Sequence, residues 1–161
     1  FPEGNMEIVT LAYRTQGLIL AQGNPKGIKN ISDLARDNVR FVNRNAGSGT
    51  RLWLDAELRK QKIPAEKIIG YEISVKTHSE AASLIEVGKA DVSLGLQAAA
   101  HQHGLDFIPL FEERYDLILP REQEQTLNPL LEYIQTADFR QLLNALSGYS
   151  TAHSGEQIHF D

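Results

Sequence analysis

The chain has 161 residues, 42% hydrophobic and 23% charged, a size and balance that fit one globular domain with a real core. With no cysteine, a disulfide scaffold, a thiol nucleophile and thiolate-bound zinc are excluded. Sixteen Lys and Arg against 21 Asp and Glu leave a formal charge of −5, which argues against general nucleic-acid binding, and no apolar run reaches the roughly 18–20 residues that span a bilayer.

The start, Phe1-Pro2-Glu3-Gly4, lacks an initiator Met and the basic-then-apolar pattern of a secretion signal, so the chain reads as a piece of something longer. Residues 6–13 (MEIVTLAY) are β-branched and aromatic and predict a strand; 17–21 (GLILA) predict a second, short and buried. A Gly23-Asn24-Pro25-Lys26-Gly27 turn leads to a helix capped by Asn30, with Asp33 three residues on. Residues 39–43 read as a strand, 44–49 as a glycine-bearing loop, and 50–61 as a helix of strong helix formers. The unit then repeats: a strand at 71–75, a capping box at Thr77-His78-Ser79-Glu80, a helix at 81–87 and a strand at 91–96. A short helix at 97–103, strands at 106–110 and 115–119, and helices at 122–135 and 136–147 complete the pattern. After Gly148 the chain turns polar and reads as a frayed tail. Alternating units of this kind predict an α/β fold with a largely parallel sheet.

Chemistry concentrates at Asn43-Arg44-Asn45-Ala46-Gly47-Ser48-Gly49-Thr50-Arg51, between a buried strand and a strong helix. A helix start has unpaired N–H groups and partial positive charge; glycines admit a ligand to that backbone, and Ser48 and Thr50 add hydroxyls. That suits a small oxyanion beyond the carboxyl ends of parallel strands. The competing reading is a plain helix cap with a Gly47 and Gly49 turn. Three other motifs fail. There is no Gly-x-x-x-x-Gly-Lys-Ser/Thr, Leu52 replaces the third glycine of a dinucleotide fingerprint, and Ala46 replaces the first glycine of a nucleophile elbow. Thr77 and His78 offer a second helix start on the same sheet edge, either ligand donors or a structural cap. Arg114 and Tyr115 offer a cation and a phenol from another wall, or a solvated charge cluster with Glu112 and Glu113. His101 and His103 lack a third ligand at metal-site spacing, so no metal site is expected.

Residues 41–51 resemble the signature of periplasmic-binding-protein-like (type II) domains related to tungstate and molybdate receptors, found fused to helix-turn-helix regulators or to molybdopterin-biosynthesis proteins. Further matches follow in order: Gln16-Gly17-Leu18; Gly23-Asn24-Pro25-Lys26-Gly27-Ile28; Thr77-His78; Gly88-Lys89-Ala90-Asp91; Leu94-Gly95; Gly104 to Leu110; Glu113-Arg114-Tyr115-Asp116-Leu117; and Gly148-Tyr149. The resemblance implies a partial domain over residues 1–149, followed by a flexible tail at 150–161. It places lobe two at about 28–105, crossover strands at about 6–22 and 106–119, and C-terminal helices at about 122–147, with the first part of lobe one missing. It also implies an oxyanion contacted by Ser48, Gly49 and Thr50, with Arg51 or Arg44 compensating its charge and Thr77 and His78 as neighbours.

The leading expectation is a cytoplasmic, non-enzymatic oxyanion sensor of a larger regulator or biosynthetic protein. No cofactor, direct nucleic-acid contact or membrane contact is expected of this chain, and a homodimer remains open. A periplasmic receptor of an oxyanion ABC transporter is the second reading. A transferase acting on a molybdenum-containing or phosphorylated substrate is the third, and it needs a base near Ser48, for which His78 is the candidate. The apolar residues Leu127, Leu130, Leu131, Ile134, Leu142, Leu143 and Leu146 of the last helices are expected to face a lobe outside this chain.

Overall fold

A computed structural model describes residues 6–158. The chain divides into two compact units, one of residues 16–111 and one of residues 1–15 with 112–161.

The 16–111 unit is built on a mixed sheet. Its strands belong to β1 (Met6–Leu20), β2 (Phe41–Arg44), β3 (Ser74–Val75), β4 (Val92–Leu96) and β5 (Asp106–Pro120), in the order β3-β2-β4-β1-β5. The strands expected at 39–43, 71–75 and 91–94 do share that sheet, and β2 runs parallel to both β3 and β4. β1 is antiparallel to β4, with Gln16 opposite Leu96 and Leu20 opposite Val92. The sheet is therefore less uniformly parallel than the βα alternation implied.

Strand alternation feeds two cores, because successive side chains face opposite ways. Leu18, Leu20, Phe41 and Leu94 pack with Leu54 and Leu58 of α1 (Gly49–Lys60). Ile19 and Val42 pack with Ala81, Ala82 and Ile85 of α2 (His78–Glu86) and with Ala99 and Ala100 of α3 (Gln97–Gln102). Both faces of the sheet are thus covered by helices. A 3-10 turn at Ile31–Ala35 stands where a helix was expected, and its Asn30 cap and Asp33 partner are as the sequence implied.

Two pairs of expected strands are single long ones. The gaps at 14–16 and 111–114 continue extended within β1 and β5. Gly17 has a packing role: a Cβ there would lie 2.0 Å from the Ile108 carbonyl oxygen, so the glycine allows a close approach of β5.

In the other unit, α4 (Glu124–Ile134) and α5 (Ala137–Asn144) follow β5, and Leu131 and Ile134 pack with Val9 and Leu119. The helices divide their apolar residues between two sides. Ile134 is fully buried, whereas Leu130, Tyr133, Leu142 and Leu146 are exposed. Residues expected to fray are hydrogen-bonded instead. β6 (Tyr149–Ser150) pairs with Tyr13 and Arg14, and β7 (Gln157–Ile158) pairs with Ile8 and Val9. Thr151 and Ser154 are buried, and the Ser154 hydroxyl donates to the Leu11 carbonyl. β1 has apolar residues and unpaired backbone to cover, and a polar tail supplies backbone partners as well as an apolar one does. Residues 159–161 of the expected tail lie outside the described residues.

Candidate functional site

Three segments of the 16–111 unit begin with a side-chain cap, and they differ at the third position. At Ile31–Ala35, Asn30 caps and the Asp33 carboxylate returns to the Lys29 and Asn30 N–H groups at 2.8 and 3.3 Å. At α2, Thr77 Oγ1 accepts from the Glu80 N–H at 3.0 Å, and the Glu80 carboxylate takes the Lys76 and Thr77 N–H groups at 2.8 and 3.1 Å. Both are capping boxes, each carrying its own negative charge on the helix start.

α1 has the cap without the carboxylate. Ser48 Oγ accepts from the Arg51 N–H at 3.2 Å, and the first turn contains no acidic residue. Its third position is Arg51. The N–H groups of Gly49 and Thr50 precede any carbonyl four residues back within the helix, so they remain donors at its positive end. Gly47, at φ +85°, makes the left-handed bend that brings the chain from β2 into Ser48.

Around this start the predicted residues take distinct roles. Thr50 is buried, and its hydroxyl donates to Gln16 Oε1 at 2.9 Å. Arg51 turns away along its helix: its Nε donates to Asp55 at 2.9 Å, and its guanidinium lies 4.0 Å over the Tyr71 ring. The Tyr71 hydroxyl donates to the same carboxylate at 2.6 Å. Burial, followed by that bond to Asp55, raises the Tyr71 pKa above its ordinary value.

Arg44, at the end of β2, is 8% exposed. It donates to the Lys76 carbonyl at 2.7 Å, and its Nη1 is 2.8 Å from both ring nitrogens of His78. The fold thus joins Arg44 with His78 across the β2 and β3 ends. Arg114 and Tyr115 belong to the other unit, where Arg114 pairs with Asp116 at 2.9 Å and Tyr115 lies 4.0 Å under Arg14.

A nucleophile–base–acid chain does exist, in a place the sequence did not suggest. Ser79 Oγ is 2.9 Å from His103 Nε2, and His103 Nδ1 is 2.7 Å from Glu86. It ties α2 to the end of α3. Ser79 is exposed, and the neighbouring cavity of about 390 Å³ is lined by Glu86, His103 and Leu105 rather than by Ser79. The Ser79 hydroxyl thus lies at the surface rather than in that cavity. Among the described residues there is no group of three metal-ligating side chains.

The sequence placed Asn43 in the 43–51 stretch and Gln16 in a matching motif but gave neither a role in the site. Asn43 is buried at the end of β2, donating to the Tyr71 carbonyl at 3.1 Å and accepting from the Arg44 N–H at 2.9 Å. The available signal was their position in the sequence motifs, Gln16 directly before Gly17 and Asn43 at the head of the 43–51 stretch.

The PBP superfamily domain matches residues 1–135, and the chain belongs to that family. YvgK of Bacillus subtilis (strain 168) is 37% identical over 151 residues, covering 94% of this chain and 49% of YvgK, so the chain spans about half the length of that relative. Among solved structures, L-phospholactate-bound PEB3 superposes with a TM-score of 0.67 at 18% identity, covering 89% of this chain and 68% of that one. A substrate-binding domain assigned to a molybdenum ABC transporter of Clostridium difficile superposes at 0.59 with 14% identity, covering 89% and 66%. These likenesses show the type II periplasmic-binding-protein-like fold, a ligand-binding architecture.

Proposed function

We propose that this PBP-superfamily chain binds a small tetrahedral oxyanion of the molybdate or tungstate class at the start of α1. It would serve as the sensing module of a larger regulator or molybdopterin-biosynthesis protein, without chemistry of its own. One observation carries the reading. Of the three capped starts in the 16–111 unit, the two at Asn30 and Thr77 hold an internal carboxylate, while the Ser48 start presents N–H groups with Arg51 in that position. A positive helix end with no acid of its own favours an external anion.

In this reading the Ser48 hydroxyl and the N–H groups of Gly49 and Thr50 hold the anion, and the buried Arg44 guanidinium supplies the cation, with His78 against it. Arg51 assists through Asp55 and Tyr71 by fixing the first turn of α1. The ligand named for one structural neighbour, L-phospholactate, carries a tetrahedral phosphate, and another neighbour is assigned to molybdenum transport. Both lend support to the oxyanion class.

Titration calorimetry on the full-length protein with molybdate, tungstate, sulfate and phosphate tests this. At least one should bind saturably, and Ser48→Ala should weaken it by about 1.5–3 kcal/mol, the worth of a hydrogen bond to a charged group. Asn30→Ala removes a similar cap elsewhere and should leave affinity unchanged. Absence of binding by all four anions would end the reading.

A further inference from the structure

Ser48 and Thr50 look equivalent in the sequence, two hydroxyls either side of Gly49. In the fold they have opposite hydrogen-bond polarity. Ser48 Oγ accepts from the Arg51 N–H at 3.2 Å, and accepting leaves the hydroxyl proton available to a further partner. Thr50 Oγ1 donates to Gln16 Oε1 at 2.9 Å, and a hydroxyl has one proton to give. Thr50 and Gln16 are 4% and 1% exposed, so water is poorly placed to compete for that bond.

Gln16 is itself firmly held. It lies on β1 directly opposite Leu96 of β4, and at the next residue, Gly17, the β5 backbone is so near that a Cβ would meet the Ile108 carbonyl oxygen. A buried amide oxygen is costly unless it accepts a hydrogen bond, and the Thr50 hydroxyl satisfies it. Rotating the Thr50 proton toward a ligand would break that bond inside the protein.

We infer that Gln16 is a positioning residue of the α1 anion site: it takes the Thr50 hydroxyl proton, pins that side chain, and leaves Ser48 as the hydroxyl donor to the ligand. The inference deepens the oxyanion reading and rests on it. Thr50 then serves the ligand through its N–H, which the side-chain bond to Gln16 holds in place.

The test is a set of titrations of the full-length protein with molybdate, tungstate, sulfate and phosphate, with melting curves for every variant. Ser48→Ala should weaken binding about tenfold or more. Thr50→Val should lower the melting temperature, because it removes the buried bond to Gln16 Oε1, yet change affinity less than threefold. Gln16→Met removes the acceptor and releases the Thr50 proton, so Thr50→Val in that background should now cost threefold or more. The comparison of Thr50→Val with Ser48→Ala stands even if the Gln16 variant does not fold. Equal losses for those two variants would overturn the inference while leaving the oxyanion reading intact. An identical Thr50→Val effect in both backgrounds would also overturn it, reducing Gln16 to a packing neighbour. If the wild-type protein binds none of the four anions, the oxyanion reading fails and this inference fails with it.

Discussion

Asp33, Glu80 and Arg51 occupy the same position in their respective first turns, and that one residue decides what each start can hold. Placing a carboxylate at the third position of α1 should close it: Arg51→Glu is expected to mimic the capping box at Glu80 and reduce oxyanion affinity about tenfold or more, read by calorimetry. The contrast was legible in the sequence, since Ser48-x-x-Arg51 stands beside Thr77-x-x-Glu80. The destination of the Arg51 side chain was not, because its bond to Asp55 and stacking on Tyr71 depend on where residue 71 lies in space. The same limit applies to Arg44 and His78, which are 34 residues apart and meet only when β2 and β3 pair. Asp91 shows the residue scale at its most direct. Its carboxylate accepts from Arg40 Nε, Nη2 and the Arg40 backbone N–H at 2.8–3.1 Å. The bond from the Arg40 side chain, chiefly, holds its pKa below the ordinary 3.8. A lowered native pKa means stability that is complete above the unfolded value and lost as pH falls through the native one. Asp91→Ala should therefore cost about 1–3 kcal/mol at neutral pH, and should flatten the loss of stability below about pH 4 in acid-titrated melting curves.

At the scale of elements, helices were read more reliably than strands. Capping residues and turn glycines act within four residues, so Ser48 and Thr77 announce their helices locally, and Asn30 announces the start of its 3-10 turn. Strand length depends on partners far along the chain. Residues 14–16 and 111–114 carry charges and look like breaks, yet the extended backbone runs through them in β1 and β5. The opposite error occurred at 71–75, where β3 keeps only Ser74–Val75. There Asn43 and Arg51 bond to the Tyr71 carbonyl, and Gly70 bends with φ +91° against the Phe41 carbonyl. The close approach at Gly17 gives a prediction for the long strands. Gly17→Ala forces a methyl group onto the Ile108 carbonyl, and should destabilise by about 1–3 kcal/mol or more in denaturant unfolding. A change below about 0.5 kcal/mol would mean that the two strands are not held so closely.

For the molecule as a whole, the family and its α/β architecture follow from motifs in order along nearly the entire chain, whereas the fate of its last residues did not. The segment expected to fray pairs with β1, because backbone groups of an unpaired strand can be satisfied by a tail of any polarity. The helices α4 and α5 were expected to turn their leucines one way, and they turn them two ways. Ile134→Ala should cost about 2–5 kcal/mol, as in a packed core, while Leu142→Ser should stay within about 0.5 kcal/mol, both by chemical denaturation. The central claim is that α1, and not α2, presents its N–H groups to an external oxyanion. Backbone amide resonances of isotope-labelled protein, followed while molybdate and then phosphate are added, test it most directly. The account predicts saturable shifts of the Gly49 and Thr50 amides, with those of Lys76 and Thr77 unmoved because Glu80 already holds them. Saturable shifts at Lys76 and Thr77 with Gly49 and Thr50 silent would contradict it.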